Sequence, residues 1–196
     1  YDFNVAMDGT LTIVIGDATG HGMRAGTMVT SAKSLFNSYA ANPDIIFTFR
    51  EMTRCIKQMQ FQSLAMSMTM LKIRNNRVIM SAAGMPPVYL FRNKHKIIEE
   101  HLMEGMPLGT MDNFPYELKE MELFSGDTIL LMSDGFPELQ NQHNEIFGYK
   151  RARNSFEEVA EKEPESIITY LKEVGSRWTG DKDPDDDVTF VVIKVK

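Results

Sequence analysis

Residues 11–15, Leu-Thr-Ile-Val-Ile, form a short apolar run that ends in Gly16-Asp17-Ala18-Thr19-Gly20-His21-Gly22, the pattern of a buried strand delivering a loop. The period then changes. Ala25, Met28, Val29, Ala32, Leu35, Phe36 and Tyr39 recur at steps of three and four, which predicts an amphipathic helix with one buried stripe. Asn42-Pro43 reads as an N-cap followed by proline at the first position of a second helix, with Ile45, Phe49, Met52, Ile56 and Met59 as its stripe. From Ser63 the period falls to two. Met66, Met68 and Met70 alternate with Ser67 and Thr69 up to Asn75-Asn76, a primed hairpin turn, and residues 78–83 return. Further strands are predicted at residues 88–91, 95–99, 116–123 and 128–132, and helices at 149–160 and 164–178. An acidic segment, residues 181–187, then launches a last strand at 188–195. Strands joined by hairpins, with helical pairs after the first strand and before the last, predict an α+β domain of antiparallel sheets covered by helices.

Composition narrows the classes. At 196 residues with 43% hydrophobic and 24% charged positions, the chain has enough apolar content for a sizeable core in a single domain, 1–196. No stretch approaches the roughly 18 consecutive apolar residues of a membrane helix, and cytoplasm is the expected location. A net charge of −6 without a basic cluster argues against nucleic acid as partner. Cys55, the one cysteine, cannot form an internal disulfide and falls on the stripe of the second helix, where a packing role is expected. The 15 methionines are expected to fill irregular core space. A start at Tyr1, already inside a strand-like run, reads as an N-terminally truncated fragment of a longer chain.

Chemistry concentrates where predicted buried strands meet turns: Asp17, Asp134, and the pair Asp186-Asp187. Carboxylates at strand ends can converge into an oxygen-ligand site for hard divalent cations, although each alone could simply cap a turn. Two other patterns fail. Gly20-His21-Gly22-Met23-Arg24-Ala25 fits a dinucleotide fingerprint, but Asp17 would face the pyrophosphate and the downstream hairpins offer no second βαβ half. Asp181, Asp183, Asp185 and Asp187 mimic the opening of an EF-hand loop, yet Asp186 stands where glycine is needed and Val192 where the bidentate glutamate is needed.

Gly16-Asp17-Ala18-Thr19-Gly20-His21-Gly22, Ser133-Asp134-Gly135-Phe136-Pro137-Glu138 and Asp186-Asp187-Val188-Thr189, in that order, resemble the metal-binding motifs of PPM-type (protein phosphatase 2C-like) phosphatases, specifically the SpoIIE-like bacterial branch. Ala83-Gly84-Met85-Pro86-Pro87, Pro107-Leu108-Gly109 and Ile146-Phe147-Gly148 add to the match. The resemblance implies a four-layer αββα sandwich and two divalent metal ions, Mn²⁺ or Mg²⁺. It implies that Asp17 bridges the two ions, that the Ala18 carbonyl binds one, and that Asp134 and Asp186 bind the other. Asp187 supports the loop and is a further candidate ligand. His21 either protonates the leaving alkoxide or orients its loop. The implied function is hydrolysis of phosphoserine and phosphothreonine by a metal-activated water in bacterial signalling. A phosphorylated anti-sigma-factor antagonist is the implied substrate, and an upstream sensor or dimerisation module the implied regulator. The alternative is a weak or silent module of the same fold that binds a regulatory partner. Met85 departs from the branch, which commonly has histidine there, and the family's earlier acidic motif would precede Tyr1.

Overall fold

The computed structural model describes residues 1–60, 64–180 and 182–196; Ser63, where the alternation was expected to begin, and Asp181, the head of the acidic segment, lie outside the described residues. The chain runs β1 (Asp2–Val5), β2 (Leu11–Ala18), α1 (Gly22–Tyr39), α2 (Ile45–Gln58), β3 (Met66–Arg74), β4 (Arg77–Ala83), β5 (Val88–Arg92), β6 (Ile97–His101), β7 (Lys119–Glu122), β8 (Thr128–Met132), α3 (Tyr149–Glu157), α4 (Pro164–Thr179) and β9 (Phe190–Lys194). It divides into two compact units, residues 1–85 with 103–122, and residues 86–102 with 123–196. Each unit holds one antiparallel sheet and two helices, so the α+β class stands. No helix of the described residues is long and apolar enough to cross a membrane.

The first unit orders its strands β1-β2-β3-β4-β7. Asn75 and Asn76 both take positive φ, 47° and 59°, which closes the β3–β4 hairpin as a primed turn and fixes Arg74 opposite Arg77. Because the side-chain period is two, Val14, Gly16 and Ala18 share a face with their partners Met70, Met68 and Met66. That face packs on Met28, Ala32 and Phe36 of α1 and Phe49, Met52 and Ile56 of α2, so these methionines are core filler as expected. Val29 departs from the expected stripe: it is 46% exposed, since the buried line on α1 runs through Met28, Ala32 and Phe36 only. The N-cap of α2 is also corrected. Asn42 Oδ1 accepts from Asp44 N–H at 2.9 Å, and Asp44 is the cap, its carboxylate accepting from Phe47 N–H at 3.0 Å, so Pro43 precedes the helix instead of opening it. Met59 is the exposed C-cap.

One charge is buried in this unit. Lys72, 5% exposed, donates from Nζ to Thr12 Oγ1 at 2.8 Å and to the Ala40 carbonyl at 2.6 Å, which ties the end of α1 to the sheet. Burial pushes its pKa down to about 8, while Asp8 opposes that shift. The folded chain therefore releases this proton near pH 8, whereas the unfolded chain holds it to about 10.5. Between those values the unfolded state binds more protons, so stability from this group rises with pH. Urea unfolding of wild type and Lys72→Met across pH 7 to 10.5 should show wild type gaining on the variant as pH rises; parallel curves would contradict the assignment.

The second unit orders its strands β6-β5-β8-β9. Tyr89, Phe91, Leu130 and Met132 pack with Phe136, Phe156, Ile167 and Leu171. The strand expected at residues 95–99 begins later, at Ile97, because His95 and Lys96 both donate their N–H to the Arg92 carbonyl and Lys96 turns the chain at φ 54°. The strand expected at 116–123 shrinks to β7 in the first unit. There Tyr116 is a core residue outside the ladder, its ring 5.2 Å from that of Phe49 and its hydroxyl donating to the Met106 carbonyl at 2.8 Å.

Candidate functional site

In the first unit, β2 carries Asp17 opposite Ser67 and Ala18 opposite Met66. The strand continues one step further, Thr19 N–H donating to the Ala65 carbonyl at 3.0 Å. Gly20 and Gly22 then take φ of 88° and 73°, conformations open to glycine, and swing the chain into α1. His21 lies between them at the N-cap of α1, exposed and making no capping bond. A Cβ on Gly16 would stand 2.7 Å from the Ser67 carbonyl oxygen, so glycine permits the close strand approach that precedes Asp17. Two supporting motifs gather on the same stretch. Leu108 and Met66 exchange backbone bonds of 2.8 and 3.0 Å, and a Cβ on Gly84 would stand 2.9 Å from Pro107 Cγ and 3.3 Å from Ser67 Oγ. Met85, in place of histidine, is buried.

In the second unit, β8 delivers Ser133-Asp134-Gly135 and the loop before β9 supplies Asp186 and Asp187. The two loops are stitched together. Ser133 Oγ donates to the Asp187 carbonyl at 2.9 Å and accepts the Thr189 N–H at 2.9 Å, while Ser133 N–H donates to the Thr189 carbonyl at 3.1 Å. A Cβ on Gly135 would stand 2.4 Å from the Asp187 oxygen. Asp186 accepts the Asp187 N–H on Oδ1 at 2.7 Å. The chain after Asp134 turns at once, Glu138 N–H donating to the Asp134 carbonyl at 2.9 Å. Gly148 N–H donates to the Pro137 carbonyl at 2.7 Å, and Phe147 packs on Phe136 with rings 5.1 Å apart. The third supporting motif, residues 146–148, thus buttresses the Asp134 turn.

The electrostatics of this unit report a converging set of carboxylates. Loss of surrounding water, then repulsion from Asp134 and Asp186, holds the Glu138 carboxyl above its ordinary range. Burial, then Asp134 and Glu138, raises the Tyr149 hydroxyl likewise. Asp134 Oδ1 is buried and, among the described residues, receives no hydrogen bond. A buried carboxylate oxygen without a donor is costly unless a cation satisfies it. The donors are all oxygens, so this set fits a hard divalent cation. Ser133, Glu138 and Tyr149 are the residues to which the sequence assigned no role. Nothing local marks the role of Ser133, because its partner lies 54 positions away.

The sequence matches the family model described as Stage II sporulation protein E (SpoIIE) over residues 7–196. No curated protein matches it significantly. Among solved structures, the SiaA-PP2C domain of Pseudomonas aeruginosa shares the fold at TM-score 0.87 and 18% identity, over 100% of this chain and 79% of that one. The RsbU and RsbW domains of Rv1364c from Mycobacterium tuberculosis align at TM-score 0.79 and 23% identity, over 98% of this chain and 53% of that one. The PP2C phosphatase domain of Bacillus subtilis SpoIIE, solved with a fragment of its regulatory domain, aligns at TM-score 0.79 and 18% identity, over 99% and 58%. A family match across almost the whole length, on a fold shared with PP2C-type domains, places this chain in the SpoIIE family.

Proposed function

We propose that this chain is a metal-dependent serine/threonine phosphoprotein phosphatase of bacterial signalling. The observation that carries the reading is the buried, donorless Asp134 Oδ1 beside Asp186 in a chain that matches the SpoIIE family. Asp134 and Asp186 would hold a divalent cation, Mn²⁺ or Mg²⁺. By the family resemblance, Asp17 would supply a further carboxylate ligand and the Ala18 carbonyl a backbone ligand. Asp187 serves chiefly through its backbone, which fixes the loop.

A divalent cation there would supply a lowered pKa for bound water and stabilisation of charge on phosphoryl oxygens. Water oxygen bonds to phosphorus as the bond to the serine or threonine oxygen breaks, and that leaving oxygen takes up a proton. His21, exposed at the start of α1, is the candidate donor. Cys55 lies on α2, half-buried, and the chemistry requires no protein nucleophile. By family analogy the substrate is a phosphorylated anti-sigma-factor antagonist in the cytoplasm, with a regulatory module in the same protein.

The test is phosphate release from a phosphoserine protein and from a small aryl phosphate, with Mn²⁺, with Mg²⁺ and with excess chelator. Release from the phosphoprotein that needs the cation and stops with chelator is expected. Undiminished hydrolysis in chelator would overturn the metal reading, and turnover of the aryl phosphate alone would overturn the substrate class.

A further inference from the structure

We propose that Ser133 is a positioning residue that sets Asp186 against Asp134 for cation binding. The inference rests on the metal reading above and assigns a residue that the reading leaves without a role. In an antiparallel ladder continued past Met132 and Phe190, the Thr189 N–H would bond the Ser133 carbonyl. Instead it bonds the Ser133 side chain, so the hydroxyl takes the place of the carbonyl and β8 and β9 part at this point.

The same oxygen donates its proton to the Asp187 carbonyl. The Asp187 N–H in turn holds Asp186 Oδ1 at 2.7 Å. One hydroxyl, on the residue preceding Asp134 and only 3% exposed, therefore holds the carbonyl side of Asp187, the residue whose own N–H meets the Asp186 carboxylate. Gly135 lies against the same carbonyl, its missing Cβ leaving room for the Asp187 oxygen. Without the hydroxyl, the Asp187 carbonyl and the Thr189 N–H lose their shared partner, and the loop that carries Asp186 loses two of the bonds that tie it to the residue before Asp134. Groups that orient metal ligands typically contribute about 10–100-fold in affinity.

The experiment is direct Mn²⁺ binding by titration calorimetry, without substrate, on wild type, Ser133→Ala, Ser133→Thr and Ser133→Val, with circular dichroism of each chelated protein. Ser133→Ala should weaken Mn²⁺ binding by roughly 10–100-fold. Ser133→Thr, which keeps the hydroxyl, should bind like wild type, and Ser133→Val, its close isostere, should bind like Ser133→Ala. If Ser133→Ala fails to fold, the threonine and valine variants carry the comparison. Equal affinity in the variants with and without the hydroxyl would overturn the role of Ser133 while leaving the metal site intact. A wild type that binds no Mn²⁺ would instead overturn the metal reading itself.

Discussion

Asp17→Asn should lower manganese-dependent phosphate release by at least about a hundredfold, because Lewis-acid stabilisation contributes several kcal/mol to such reactions. The exchange keeps shape and removes charge. Asp17 sits in the β2–β3 ladder, one residue before the end of β2, and its backbone register with Ser67 does not depend on the carboxylate. The sheet should therefore form as before and the melting temperature of the chelated variant should match wild type. On the proposed reading, a neutral amide in the place of the Asp17 carboxylate would weaken cation binding directly, whereas a variant of Asp187 keeps the backbone carbonyl that Ser133 holds. The measurement is the dependence of rate on Mn²⁺ concentration for both proteins. Wild-type turnover by Asp17→Asn would remove Asp17 from the site.

Gly135→Ala should be nearly as damaging, for a steric reason. The added methyl would lie 2.4 Å from the Asp187 oxygen, 3.0 Å from its carbonyl carbon and 3.4 Å from the Asp186 oxygen, all of them backbone atoms. None is the tip of a flexible side chain that could swing aside, and the Asp187 carbonyl is already engaged by Ser133. Relief requires the Asp134 loop to separate from the Asp186 loop. A shift of about 1 Å between catalytic groups can cost on the order of a hundredfold in rate, and overpacking typically costs about 1–3 kcal/mol of stability. Gly175→Ala in the same unit is the control. Its methyl would meet Leu139 Cδ1 at 3.0 Å and Phe136 Cε2 at 3.4 Å, side-chain atoms of the core and no backbone atom of either loop, so the loops need not separate. The expected outcome is near wild-type turnover for Gly175→Ala and a roughly hundredfold loss for Gly135→Ala; equal rates would show that the two loops tolerate separation.

Much of this was legible in the chain itself. The Met66, Met68, Met70 alternation and the Asn75-Asn76 turn state their own register, since period and turn type are local properties. The apolar run before Ser133-Asp134-Gly135 matched β8 residue for residue, because its ends are marked by Asp127 and by the turn. Legibility failed where a local choice was settled by geometry beyond the window. Asn42 and Asp44 are both good caps, and only the side chain that reaches Phe47 N–H decides between them. Val29 satisfies the helical spacing but falls off the line that meets the sheet. At the site, the aspartates were visible as residues that end strands. The hydroxyl that orients Asp186 was not, because nothing near Ser133 in sequence announces Asp187 as its partner.

The route of the chain through its two units carries a consequence for synthesis. The first unit takes residues 1–85 and is completed only by residues 103–122; the second opens with residues 86–102 and is completed by residues 123–196. A ribosome therefore releases β5 and β6 before the last strand of the earlier sheet exists, and β8, the neighbour that β5 awaits, emerges only after β7. The first sheet waits for β7 until β5 and β6 have been made, and the second is completed only after the first. Nascent chains from which β4 and β5 have emerged but β7 and β8 have not would carry two open sheet edges at once, and such edges invite pairing with other chains. The second unit begins before the first is complete, so the two cannot fold strictly one after the other.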